Sequence, residues 1–286
     1  MRILVTGANG QLGNEIRELA WEYPGYDFIY TDVEELDITN RLKVKAFFEV
    51  NQPQIIINCA AYTAVDKAES DEANAFLINA KAVENLARSA AEIDALIIHI
   101  STDYVFDGKS FLPIKENEPT NPSSAYGRTK LAGEEAVRQH ASKGLIIRTS
   151  WLYSAFGNNF VKTMMKYGKE RDELKVVFDQ VGTPTYARDL AKVILDIIPM
   201  SLEYSGTGLF HYSNEGVASW YDFAQTIIAF SGLTCEIKPI LTKDYPLPAP
   251  RPFFSVMDKS KIKETFKIKI PYWSDSVKAC IQRLKE

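Results

Sequence analysis

Long apolar runs, paired cysteines and an excess of either charge are all missing from this chain of 286 residues. No hydrophobic stretch approaches the ~18 residues that cross a bilayer, so neither a membrane span nor a membrane partner is expected. Cysteine is scarce: Cys59, Cys235 and Cys280 are odd in number and far apart. That pattern suits reduced thiols in a cytoplasm better than a disulfide framework. Histidine is equally scarce, and His99, His140 and His211 form no ligand spacing, so the sequence offers no metal site. With 33 Lys+Arg against 37 Asp+Glu the net charge is −4, which lacks the basic excess that nucleic-acid binding requires. Any anionic ligand must be met by local groups.

What is present describes an ordinary globular chain, 46% hydrophobic and 24% charged, long enough for one large α/β domain or a nucleotide domain with a smaller partner. The Arg2–Thr6 segment runs directly into glycines, too short for a secretory signal, and a cytoplasmic protein is expected. Short apolar runs recur at Ile3–Val5, Phe28–Tyr30, Ile55–Ile57, Leu96–Ile100 and Leu145–Ile147. Such runs read as parallel strands buried on both faces. Between them, residues 11–22, 40–51, 72–93 and 124–142 carry helical periodicity, with Thr39 the expected N-cap of the second stretch. Strand and helix alternate, which predicts an α/β fold with a doubly wound parallel sheet of the Rossmann kind.

Beyond Ser150 the pattern loosens into a break at Gly157–Asn159, a helix to about 169, a strand over 174–178 and a helix over 187–198. The proline-dense Pro246–Pro252 segment reads as a fixed loop. Residues 1–150, joined by parts of 171–200, are expected to form a dinucleotide-binding domain, and 151–170 with 201–286 a smaller α/β substrate lobe. The crevice between them is the expected site.

Gly7, Gly10 and Gly13 follow the first strand and open the first helix, with Asn9, Gln11 and Leu12 in the same turn. A strand–glycine turn–helix sequence presents unpaired helix N–H groups to a pyrophosphate without needing a lysine. Asp32 closes the second strand about twenty residues later, where a carboxylate accepts from adenosine ribose hydroxyls. Because Val33–Glu35 supplies no arginine for a 2′-phosphate, NADH is the expected cofactor and NADPH the weaker alternative. Asp37 and Ile38 are placed to flank the adenine, and Ala60, Ala61 and Thr63 to border the cofactor after the third strand.

Tyr126 and Lys130 stand four residues apart and share one helical face. A cation within roughly 4–6 Å favours a phenolate, so Lys130 is expected to bring Tyr126 down from its usual ~10. Ser101 and Thr102 end the fourth strand, at the edge where open α/β sheets bind ligands, and either hydroxyl can face the same crevice. Asn58 and Asp103 read as structural hydrogen-bonders, and Asn158 and Asn159 as further candidates for ligand contact.

Taken in order, the glycine turn, the fourth-strand hydroxyl and Tyr-x-x-x-Lys resemble an extended short-chain dehydrogenase/reductase. More narrowly, Asn58–Glu69, Ser101–Phe106, Tyr126–Glu134 and Arg148–Tyr153 resemble the dTDP-4-dehydrorhamnose reductase family. The resemblance implies hydride transfer from NAD(P)H to the C4 ketone of dTDP-4-dehydro-L-rhamnose, giving dTDP-L-rhamnose. It implies that Tyr126 is the general acid, Lys130 its tuner and a ribose partner, and Thr102 the hydroxyl on the substrate oxygen. By the same resemblance Asp103, Tyr104 and Trp151 meet the sugar, and Arg251 meets the diphosphate of the nucleotide-sugar substrate. Part of the family forms homodimers and holds magnesium at the subunit contact, but the sequence gives a position for neither. The alternatives are a reductase or epimerase of another nucleotide sugar, and a non-catalytic regulatory relative of the kind that attends a methionine adenosyltransferase. The presence of Thr102, Tyr126 and Lys130 together argues against the last.

Overall fold

The computed structural model describes residues 1–285. Six strands form its central sheet: β1 (Arg2–Thr6), β2 (Asp27–Thr31), β3 (Ile55–Asn58), β4 (Leu96–Thr102), β5 (Lys143–Thr149) and β6 (Gly206–His211). They lie in the order β2-β1-β3-β4-β5-β6, and every adjacent pair is parallel. A parallel arrangement carries all C-terminal strand ends to one edge. The register aligns Thr6 with Thr31 and Asn58, and Thr102 with Thr149.

The strands are apolar throughout because both faces are covered. Ile3, Val5, Ile55 and Ile57 point into one core with Leu12, Ile16 and Leu19 of α1 (Gln11–Leu19) and the helix Ala187–Ser201. Leu4, Ile56, Ile97 and Ile146 point the other way, against Val44 and Phe48 of α2 (Arg41–Asn51) and the helix Ala82–Glu92. The period-two alternation of strand side chains produces this division. Each fully buried side chain of this kind contributes roughly 1.5–3 kcal/mol.

A second core lies apart from the sheet. The helices Phe160–Glu170, Trp220–Ser231 and Trp273–Arg283 pack with the paired strands Glu173–Val177 and Glu236–Ile240 around Phe223, Ile227 and Val277. Residues 173–177, expected near the dinucleotide-binding part, therefore belong with this core. Residues 206–211, expected in the substrate lobe, are instead the sixth strand of the main sheet. That strand's Gly206-Thr-Gly-Leu-Phe-His has too short an apolar run to declare itself.

The helix ends follow side-chain chemistry. Asn40 caps α2, accepting from the N–H groups of Leu42 and Lys43, both at 3.1 Å. Thr39, the expected cap, instead donates its hydroxyl to Asp37 at 2.6 Å. Ser124 caps the helix Ala125–His140 by accepting from Gly127 N–H at 3.1 Å. Gly127 also lets this helix press on the chain below, since a Cβ there would stand 2.2 Å from the Tyr104 carbonyl oxygen.

Candidate active site

At the sheet's C-terminal edge a groove begins between β1 and β2. Gly7 has φ +64°, and a Cβ on it would lie 2.6 Å from the Ala60 backbone, so only glycine brings the turn this close to β3. Gly10 caps α1 without a side-chain hydrogen bond, which leaves the helix N-terminus open to an anion. A pocket of about 300 Å³ there is bordered by Gly7, Gly10, Asp32, Asp37, Ile38, Ala60 and Ala61. Asp32 is held in place by the Asn9 N–H at 3.0 Å, and its own N–H donates to Glu35 at 2.8 Å. These features fit a nicotinamide dinucleotide. Asp37 meanwhile acts as a loop cap, its carboxyl held low chiefly by the Thr39 hydroxyl.

The groove continues into a cavity of about 680 Å³, sharing Gly10, Cys59 and Ala61 with the first pocket. Gln11, Leu12, Thr63, Thr102, Asp103, Tyr104, Tyr126, Lys130 and Trp151 all line it. Gly13 does not, and serves packing: a Cβ there would stand 2.5 Å from Ala8 Cα. Asn158 reaches the cavity, whereas Asn159 caps the next helix and donates to Gln11 at 3.0 Å.

The two hydroxyls at the end of β4 have different occupations. Ser101 donates to the buried Glu134 at 2.6 Å. Thr102 donates to Asp103 at 3.1 Å and stands beside the Tyr126 phenol, opposing the rise in that group's pKa. Both hydroxyls line the cavity, and Thr102 is the one that stands against the Tyr126 phenol. Asp103 is pushed up to about 6, first by burial, against the Ser255 and Thr102 hydroxyls.

The expected influence of Lys130 on Tyr126 is not what the structure contains. Burial raises the phenol to about 12, with Thr102 lowering it and Asp103 raising it further. The Lys130 ammonium donates to the Ile100 carbonyl of β4 at 2.6 Å, and it is not among the groups that shift the phenol. Burial pulls Lys130 itself down to about 8, with Glu134 and Cys59 drawing it back up. Desolvation outweighs the charge effect at this spacing. Asn58 behaves as a structural group, accepting from Thr6 at 2.7 Å and bonded to His99 at 3.0 Å.

Trp151 occupies the left-handed region at φ +47°, costly for a bulky residue and held by what surrounds it. Its ring stacks on Trp220 with centroids 3.8 Å apart, and Gly182 packs so closely that a Cβ would stand 2.8 Å from the indole. Trp220 also lines the cavity. Sequence spacing gave no sign of it, since its partner is distant in the chain and its helix carries no motif.

Arg251 lies outside the cavity lining, with its guanidinium turned to Asp66 in a two-pronged ion pair at 2.5 and 2.7 Å. The proline-rich loop is thereby fastened to the chain after β3, and a diphosphate would have to share this cation with a carboxylate. Asp66 was not singled out by sequence; the Asn58–Glu69 block was its only signal. Among the described residues, no three His, Cys, Asp or Glu side chains gather as a metal site.

The family model described as RmlD substrate binding domain matches residues 1–286. A dTDP-4-dehydrorhamnose reductase of Aggregatibacter actinomycetemcomitans is 40% identical over 285 residues, covering 97% of each chain. The crystal structure of a dTDP-4-dehydrorhamnose reductase from Clostridium acetobutylicum ATCC 824 is 48% identical, with a TM-score of 0.96 over 100% of both chains. A third, from Bacillus anthracis str. Ames in complex with NADP, is 39% identical, with a TM-score of 0.93 over 99% of both chains.

Proposed function

The chain belongs to the RmlD substrate binding domain family, and from that premise we propose that it reduces the C4 ketone of dTDP-4-dehydro-L-rhamnose to give dTDP-L-rhamnose. Full-length relatives named for that activity support the substrate. The observation that carries the chemistry is local: Thr102 and Tyr126 face one cavity, Lys130 is buried beside them, and the glycine turn adjoins it.

The Gly7–Gly13 turn, Asp32, Ala60, Ala61 and Thr63 would hold the dinucleotide, which when bound supplies the hydride. Tyr126, with burial holding its phenol near 12, keeps its proton throughout the neutral range. As C4 is reduced, the substrate oxygen becomes an alkoxide, a base comparable to hydroxide, whose parent water has a pKa of ~15.7. Proton transfer from Tyr126 to that oxygen runs downhill, and Thr102, its hydroxyl turned from Asp103 to the substrate, donates a hydrogen bond to the same atom. Lys130 opposes the phenolate charge left behind until Tyr126 regains a proton from solvent. Donors aimed at a developing oxyanion contribute ~10²–10³ in rate.

The Trp151 and Trp220 indoles offer an apolar surface to the deoxysugar, with Asp103 and Tyr104 on the polar side. Arg251 meets the diphosphate once it shares or leaves Asp66. Asp32 and Glu35 at the ribose end favour NADH over NADPH, because a 2′-phosphate would meet carboxylate rather than guanidinium. In this scheme residues 1–150 with the helix over 187–201 hold the dinucleotide, 151–177 and 212–285 meet the sugar nucleotide, and the enzyme works in the cytoplasm. Incubation with NADH and dTDP-4-dehydro-L-rhamnose tests the proposal, with NADH oxidation matched to dTDP-L-rhamnose formed. Inactivity there, with turnover of a different nucleotide 4-ketosugar, would reject the substrate.

A further inference from the structure

Tyr126, Lys130 and Glu134 occupy successive turns on one face of the helix Ala125–His140, and three consecutive residues at the end of β4 meet them. Thr102 stands beside the Tyr126 phenol, the Ile100 carbonyl accepts from Lys130 at 2.6 Å, and the Ser101 hydroxyl donates to Glu134 at 2.6 Å. Glu134 is fully buried and is anchored from β5 as well, where Arg148 donates to both carboxylate oxygens at 2.7 Å. Arg138, one turn further along the helix, adds a second cation at 2.9 Å.

We propose that Glu134 is a positioning residue of the active site: clamped by Ser101 and Arg148, it fixes the register of the catalytic helix on β4 and keeps the neighbouring Lys130 a cation. The assignment builds on the reductase reading above. A buried carboxylate is costly unless paired, and this one has every oxygen engaged. A helix and a strand that grip at three successive points cannot slip by a residue without breaking all three. The electrostatic part has a defined direction. Groups facing Lys130 are Cys59 just after β3, His99 on β4 and Glu134 on its own helix, with Tyr126 one turn before it and Arg148 behind Glu134. Of these only Glu134 carries a full negative charge at neutral pH. Burial works against the ammonium, and Glu134 is the larger of the two influences, with Cys59, that oppose it.

The test follows the Lys130 side chain itself by isotope-edited NMR of lysine-labelled full-length protein, its signal assigned by loss in Lys130→Arg. Glu134→Gln is expected to lower the Lys130 titration midpoint by about one pH unit, a tenfold change in acidity. It should also move the alkaline limb of kcat to lower pH by the same amount while leaving the NADH KM within about twofold. An unchanged midpoint in a folded Glu134→Gln protein would overturn the proposal. If that variant does not fold, Glu134→Asp keeps the charge but withdraws it, and a smaller fall in the same direction is expected; no fall overturns it equally. The NMR midpoint needs no turnover, so a wild-type protein inactive on the ketosugar would sink the substrate proposal while leaving this one standing or falling separately.

Discussion

Trp151 and Trp220, from separate parts of the chain, stack with ring centroids 3.8 Å apart and planes 11° from parallel. One indole is therefore held by the other, and both border the cavity. Trp220→Ala is expected to raise the KM for the sugar nucleotide roughly 2–10-fold, the equivalent of the ~0.5–1.5 kcal/mol of an aromatic pair. Steady-state kinetics at saturating NADH measures it. A matching rise in the NADH KM would point to general loosening instead of sugar recognition.

Tyr126→Phe removes the proton and almost nothing else, because the ring and its edge contact with Tyr104, centroids 5.4 Å apart, remain. Turnover should fall by ~10²-fold or more with cofactor affinity preserved. Activity close to wild type would remove Tyr126 from its role as acid.

Asp32→Ser takes a carboxylate from the ribose end of the groove while keeping a side-chain oxygen for the Asn9 N–H. Relieving ~1 kcal/mol of repulsion changes an affinity about fivefold. The ratio of kcat/KM for NADPH to that for NADH should accordingly rise by about that factor. A ratio already above one in the wild type would contradict the proposed NADH preference.

Lys130 separates activity from stability as pH rises. Its folded pKa is depressed to about 8, so between there and its unfolded value the folded protein has released a proton that the unfolded chain retains. The unfolded state then binds more protons, and this group's contribution to stability increases with pH across that window. Catalysis needs the cation and declines across the same window. Lys130→Met should flatten the stability trend when denaturation midpoints are compared from pH 7 to 10, and parallel curves for the two proteins would refute the assignment.

Much of the fold was legible because burial on both faces leaves a strand no choice but apolar residues. Ile55–Ile57 and Leu96–Ile100 read directly as β3 and β4. Gly206–His211 did not, since an edge strand covered chiefly by neighbours needs no such run. The same distinction holds in the site. Tyr126 and Lys130 share a helical face by spacing alone, and Gly7 is required by the backbone of its turn. Trp220 and Asp66 owe their places to contacts with residues distant in the chain, for which no local pattern exists; Glu134 continues the spacing of Tyr126 and Lys130, but its partners Ser101 and Arg148 come from other elements.

The sequence by itself determined the doubly wound sheet, the glycine turn at its edge and the shared helical face of Tyr126 and Lys130, because period and spacing act over a few residues. Tertiary structure alone decided what those groups experience. Burial, not the neighbouring ammonium, governs the Tyr126 phenol; Ser101 donates to Glu134 while Thr102 stands beside the phenol; and Arg251 rests on Asp66. The reason is physical: desolvation and hydrogen-bond partnership depend on everything that surrounds a side chain, and that shell is assembled from segments far apart in the sequence.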